Sequence, residues 1–264
     1  MKDVTYKKRI LRFTDGSAVW TEDTIATEQV LTIKLNGEEF VTMVCSPEYM
    51  EDLAVGYLAS EGIIKSERDL SSVRLDEKAG FIHIESEKLN PLYKNLQNKR
   101  YITSCCGGSR QGFVFASDAM AAKKMDNITV RINPERCLDL MEKMQSGAEI
   151  FKETGGVHNA SLCTADGEIL LSRMDIGRHN ALDKIYGHCL KNNVSVQDKI
   201  IVFSGRLSSE ILLKVAKIGC EIVLSKSAPT ERAIELAEEL GITTVGFIRG
   251  RSFNIYTNPE RIVM

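Results

Sequence analysis

The sequence predicts an α/β protein with an α+β lobe over residues 1–125 and an α/β domain over residues 126–264. Three observations predict it. Apolar alternation broken by Asn-Gly or Gly turns fills the first half, short apolar strands alternate with glycine-terminated helices in the second, and 264 residues suffice for two buried cores.

In the first half, Val30–Leu35 and Glu39–Val44 flank Asn36-Gly37, a pair suited to the positive φ that both positions of a two-residue hairpin turn require. A helix is expected over Pro47–Ser60. Proline suits its first turn, Gly62 lies just past its end, and Leu53, Val55, Tyr57 and Leu58 supply a core face. A second hairpin joins Val73–Leu75 to Phe81–Ile84 through Lys78-Ala79-Gly80, and the polar stretch Glu87–Arg100 reads as a connector. A helix over Asn133–Gln145 opens the second half. Strands follow at Ser161–Cys163 and Ile169–Ser172, turned at Asp166-Gly167, and then the apolar helix Ala181–Leu190. Strands Lys199–Phe203, Glu221–Leu224 and Thr243–Phe247 alternate with helices Ser208–Ile218 and Pro229–Leu240, which implies a parallel sheet covered on both faces.

A formal net charge of -2 argues against a general polyanion-binding surface, so no nucleic-acid partner is expected. No stretch approaches the roughly 20 apolar residues of a membrane span, and Met1–Arg9 lacks the apolar core of a signal peptide, so a cytoplasmic protein is expected. The seven cysteines have no framework spacing, which fits reduced thiols. Cys45, Cys137, Cys163, Cys189 and Cys220 fall within or at the ends of expected elements and read as small core residues.

Cys105 and Cys106 differ. They lie in Thr103-Ser104-Cys105-Cys106-Gly107-Gly108-Ser109-Arg110-Gln111-Gly112, a run with little to bury and three glycines, and Arg110 is a nearby cation that would favour a thiolate. This pattern proposes sulfur chemistry on a loop.

Ligands of open α/β sheets bind beyond the carboxyl ends of the strands. Ser204-Gly205-Arg206, Ser225–Thr230 and Ile248-Arg249-Gly250-Arg251 follow three such strands, which would gather Arg206, Lys226, Arg249 and Arg251 into a local anion pocket for a phosphate-bearing ligand. A second polar cluster, Asp175–Lys184, contains Arg178 as a phosphate ligand and His179 as a phosphate ligand or proton carrier. Its plainer reading is helix capping, with Asp183 and Lys184 in solvent. His158, after Gly155-Gly156, either lines a pocket or is structural, and His83 and His188 read as structural. Catalytic zinc of the deaminase kind is not supported: His158 is followed by Asn159-Ala160 rather than by a His-x-Glu step, and the chain has no Cys-x-x-Cys. It has no Walker-type run and no Gly-x-Gly-x-x-Gly either, which counts against NTP hydrolysis and hydride transfer.

At these residues the sequence resembles the FdhD family, the sulfur carriers required for formate dehydrogenase activity. The resemblance spans Pro47–Gly62, Thr103–Gly107, Thr154–Ala160, Asp175–Lys184, Ser204–Ser208, Ser227–Thr230, Gly246–Gly250 and Tyr256–Arg261. It implies a cytidine-deaminase-like α/β core without catalytic zinc, a homodimer, and a pocket for the guanine dinucleotide form of the molybdenum cofactor (bis-molybdopterin guanine dinucleotide). It further implies a sulfurtransferase that receives sulfur from a cysteine desulfurase as a cysteine persulfide and passes it to that cofactor before insertion into formate dehydrogenase. Aligned on Gly107, Cys106 becomes the carrier, and Ser109 stands where many members have a second cysteine, so a mechanism demanding two thiols would need Cys105. Phosphates would meet Arg206, Lys226, Arg249 and Arg251, and guanine would be read along Phe247, Ile248, Arg249, Gly250, Arg251 and Ser252. The alternative is a non-catalytic molybdenum-cofactor-binding chaperone whose thiols protect or ligate the metal.

Overall fold

A computed structural model describes residues 3–89, 100–102, 122 and 124–264. The described residues form three sheets. Strands β1 (Thr5–Thr14) and β2 (Ser17–Ala26) make an antiparallel ribbon, an addition to the expected elements. Its turn at Asp15-Gly16 carries the same left-handed signal as Asn36-Gly37. The ribbon keeps Phe13, Val19 and Trp20 exposed.

The second sheet has the order β5-β6-β3-β4-β7, built from β3 (Gln29–Leu35), β4 (Glu38–Cys45), β5 (Ser72–Asp76), β6 (Phe81–Glu85) and β7 (Arg100–Ile102). Both expected hairpins are present in it. Leu31, Ile33, Met43, Ile82 and Ile84 bury one face of this sheet against Leu53, Val55 and Leu58 of α1 (Met50–Ser60). That helix begins three residues later than expected because Tyr49 adopts a left-handed φ of 52°. Its ring is stacked under the Arg173 guanidinium at 3.7 Å.

The third sheet runs β13-β12-β11-β10-β8-β9, from β8 (His158–Thr164), β9 (Ile169–Asp175), β10 (Lys199–Phe203), β11 (Ile222–Ser225), β12 (Thr243–Arg249) and β13 (Ser252–Thr257). The three strands expected to be parallel, β10, β11 and β12, are parallel, and β8, β9 and β13 extend them antiparallel into a mixed sheet. The pleat divides its core. Ile200, Val202, Ile222 and Leu224 face Leu140, Met141 and Met144 of α2 (Pro134–Ser146), while Ile201, Phe203 and Val223 face helices α4 (Arg178–Lys191), α5 (Ser209–Ile218) and α6 (Glu231–Glu239). A short helix α3 (Glu149–Thr154) follows α2.

Two boundaries move for visible reasons. Helix α4 starts a turn early, after Gly177, where Asp175 Oδ1 accepts from Gly177 N and Asn180 Nδ2, so Arg178 and His179 belong to its first turn. Helix α6 starts late because Pro229 bridges to Leu207, with Thr230 N donating to Leu207 O. The third expected loop is a hairpin turn, since β12 continues to Arg249 and returns as β13.

The two larger sheets are joined through α1 and α4. These helices cross at Gly56 and Gly187 so closely that a Cβ on Gly56 would lie 1.8 Å from Asp183 O, and one on Gly187 would lie 1.9 Å from Asp52 O. Buried ionic contacts flank the crossing. Asp183, far from solvent, accepts from Ser60 Oγ and Lys214 Nζ, each at 2.6 Å, and Lys184 Nζ meets Asp175 Oδ2 at 2.7 Å with both side chains fully buried. The expectation that Asp183 and Lys184 are solvated is therefore corrected, because these positions dock one sheet system on the other. His188 is structural, with Nδ1 2.9 Å from Arg173 Nη2 in a network with Asp52.

Candidate functional site at the carboxyl edge of the mixed sheet

Because β8 runs antiparallel to β10, its first residues lie beside the end of β10, and Asp175 at the end of β9 pairs with His158. The topology thus brings His158, Arg178, His179 and Arg206 to the edge where Lys226 and the β12–β13 turn also emerge. Short hydrogen bonds stitch the loops together. Ser204 N donates to Asn159 O, Ser225 Oγ to Gly205 O at 2.8 Å, Ser227 Oγ to Ser204 O at 3.2 Å, and Phe247 N to Ser227 O at 3.2 Å. Small residues permit this approach: a Cβ at Gly205 would meet the Phe203 ring at 2.9 Å and Arg178 Cβ at 3.4 Å.

Each candidate has a definite setting. Arg206, Arg249 and Arg251 are exposed, and Arg178 is half-buried in the first turn of α4. Lys226 is half-buried and donates to Gln145 Oε1 at 2.9 Å, which fastens the loop after β11 to the end of α2. Ser252 and Gly250 are exposed, whereas Ile248 is buried. His179 is buried, with Nε2 3.2 Å from Glu210 Oε2 in the first turn of α5. Burial lowers its pKa from the ordinary 6.5, with Lys214 and Arg178 adding to the effect and Glu210 opposing it. The His158 imidazole is lowered for the same first reason, and next by Arg178.

A cleft of about 560 Å³ opens between α2, α3 and the β12–β13 turn, lined in part by Gln145, Ser146, Lys152, Ile248, Gly250 and Arg251. Its volume suits a small-molecule ligand. Its lining mixes apolar Leu138, Met141 and Ile248 with the cations Lys152 and Arg251 and the carboxylate of Glu142, and Lys152 is anchored on Ser146 O at 2.7 Å. Sequence reasoning missed Gln145, Lys152 and Glu210. The first two lie on helices distant from the strand ends, and Glu210 carries only the ordinary signal of an acidic first turn.

Cys105 and Cys106 lie outside the described residues. The five other cysteines are buried free thiols, of which Cys45 donates to Gln29 O and Cys220 to Val196 O. Burial pushes Cys45, Cys137 and Cys163 up to about 12 and Cys189 to about 11, and raises Cys220 as well, so these thiols stay protonated. Among the described residues no cluster of His, Cys, Asp and Glu could hold a metal ion, and no helix is long and apolar enough to cross a membrane.

Comparison with known proteins adds to this geometry. The model of the FdhD/NarQ family matches residues 26–263. A relative from Shouchella clausii named sulfur carrier protein FdhD is 57% identical over 99% of this chain and 98% of its own. One of the same name from Bacillus subtilis is 52% identical over 98% of each. A crystal structure from Desulfotalea psychrophila, of a protein assigned as a formate dehydrogenase accessory protein, superposes with a TM-score of 0.82 at 21% identity, covering 99% of this chain and all of the other.

Proposed function

The chain belongs to the FdhD/NarQ family, and from that premise we propose that it is a cytoplasmic sulfurtransferase serving formate dehydrogenase. In this reading the donor is a cysteine desulfurase carrying a persulfide. Cys106 as thiolate attacks the outer sulfur of that persulfide, a new S–S bond forms on Cys106, and the donor cysteine leaves as thiolate. The outer sulfur is then delivered to the molybdenum cofactor as substrate, before insertion of the cofactor into the dehydrogenase: a small-molecule thiol attacks the Cys106 sulfur, the S–S bond breaks, the outer sulfur leaves as sulfide for the cofactor, and the mixed disulfide left on Cys106 is reduced by a second thiol. Cys105 assists the exchange or stands by.

The single observation that carries the binding half of this reading is the stitched edge of the mixed sheet, where Arg206, Lys226, Arg249 and Arg251 stand after or at the ends of three parallel strands, with Arg251 lining the cleft. This donor set fits the substrate: phosphates meet the cations, Arg178 and His179 extend the same edge, and the guanine lies along Phe247–Ser252. We read residues 126–264 as the cofactor-binding domain, with a cytidine-deaminase-like core, and residues 1–125 as the lobe that bears the cysteine run. The functional unit is a homodimer. The chaperone alternative lacks a specific observation in its favour.

The test is genetic. In a strain lacking its own copy of such a carrier, the wild-type chain and the Cys105→Ser variant are expected to restore formate dehydrogenase activity, and Cys106→Ser is not. Restoration by Cys106→Ser at wild-type level would remove the persulfide from the reading.

A further inference from the structure

Strands β1 and β2 pair over ten residues each, and a two-stranded ribbon standing alone in water is marginally stable. At its base β2 meets α3, and Ala26 lies against Gly156. Its outer half is exposed on one face. The cross-strand pairs Arg9–Glu22, Leu11–Trp20 and Phe13–Ala18 fall on alternate positions and therefore share that face. Leu11, Phe13 and Trp20 are 54%, 73% and 59% exposed there. Three large apolar side chains in one patch mark an interaction surface, unlike apolar residues exposed singly. The charges beside them are sorted by strand, with Lys7 and Arg9 on β1 and Glu22 on β2. The Arg9 guanidinium lies 5.0 Å from the Trp20 ring centroid, and Glu22 makes no ion pair among the described residues.

We propose that this face docks on the same face of a second copy of the chain, ribbon against ribbon. The inference rests on the homodimer of the proposed function, and adds the surface through which the copies meet. Charge selects a second copy. A twofold axis running along the ribbon lays β1 of each copy over β2 of the other, so Arg9 meets the partner's Glu22, Leu11 meets the partner's Trp20 and Phe13 meets the partner's Ala18. Lys7 then stands opposite the partner's Thr24, so no like charges are opposed and every contact occurs twice. A uniformly acidic partner would fit less well, because the face carries a carboxylate of its own. Size sets the strength. Ten residues at about 3.4 Å each give a ribbon roughly 34 Å long and two strands wide, so the pairing buries less than the roughly 1,600 Å² of a standard complex. The dimer is therefore reversible, and dilution separates it.

The experiment is sedimentation velocity of the full chain over a dilution series, with the emission of Trp20, its single tryptophan, read on the same samples. The wild type is expected to dimerise as concentration rises, and its emission to shift to the blue. Arg9→Glu and Glu22→Arg each replace two attractions by two repulsions, and each should weaken the dimer about 10- to 100-fold. Mixed in equal amounts, these two variants should form a heterodimer close to wild-type strength, a result that unfolded chains could not give. Phe13→Ser should weaken the dimer at every salt concentration, whereas the effect of the charge variants should fade as salt rises. A dimer that persists unchanged in Arg9→Glu and Phe13→Ser, or two charge variants that stay monomeric when mixed, would overturn the ribbon pairing while leaving the homodimer standing. A wild-type chain that is monomeric throughout would overturn both. An emission shift that appears only on adding a cysteine desulfurase or a formate dehydrogenase would assign the face to that protein and overturn the pairing of copies.

Discussion

His179 shows how a residue at the candidate site reports on the fold. Its imidazole is buried beside Glu210 with its pKa lowered, chiefly by that burial, so the folded state holds it neutral under conditions in which the unfolded chain is protonated. The sign follows from proton counting. Stability is fully present above the unfolded value near 6.5 and declines as pH falls below it, until the lower folded pKa is reached. The slope from this one group is at most about 1.4 kcal/mol per pH unit. Denaturant titrations of the wild type between pH 7.5 and 5 (roughly the range over which histidine changes charge) should show this decline. They should show a shallower one for His179→Gln, and equal slopes for the two proteins would mean that His179 binds protons equally in the folded and unfolded states.

Among the elements, the α1–α4 crossing sets the relation between the two larger sheets. Gly56 and Gly187 leave no space for a methyl group at backbone contact distance, so Gly187→Ala must push α1 and α4 apart. The nearby Lys214–Asp183 and Arg173–Asp52 contacts would then be strained together. Overpacking of this kind destabilises by about 1–3 kcal/mol, and the rigid backbone on both sides puts Gly187→Ala at the upper end. A shift in the urea midpoint, without a change of slope, is the expected measurement; an unchanged midpoint would show that the helices separate freely. This crossing was not legible in the sequence. Both glycines sit inside helices, where a lone glycine signals little beyond weakened propensity. The strands and caps around it were legible, because Asn133, Ser208 and Gly219 carry local signals that need no tertiary partner.

For the molecule as a whole, local chemistry gave the three-layer second half and both inner hairpins, and it failed where distant partners decide. Antiparallel β8 and β13 make the sheet mixed, and no single strand's residues announce the direction of its neighbour. Lys184, which the capping alternative put in solvent, is fully buried, since a lysine goes inside only with a carboxylate and Asp175 becomes that carboxylate once α4 has folded back on β9. The strand-end positions of Arg206, Lys226, Arg249 and Arg251 were readable because the carboxyl edge of an α/β sheet follows from connectivity alone. Gln145 and Lys152 were hidden, because α2 and α3 reach the edge only through packing.

Above all, the proposed function requires that this protein carry sulfur on Cys106. The most direct measurement is the intact mass of the chain after incubation with a cysteine desulfurase and cysteine, for the wild type and for Cys105→Ala and Cys106→Ala. The expected result is an adduct of one sulfur atom, removable by reductant, on the wild type and on Cys105→Ala, and none on Cys106→Ala. An adduct that survives in Cys106→Ala, or a wild-type chain that never gains one, would contradict it.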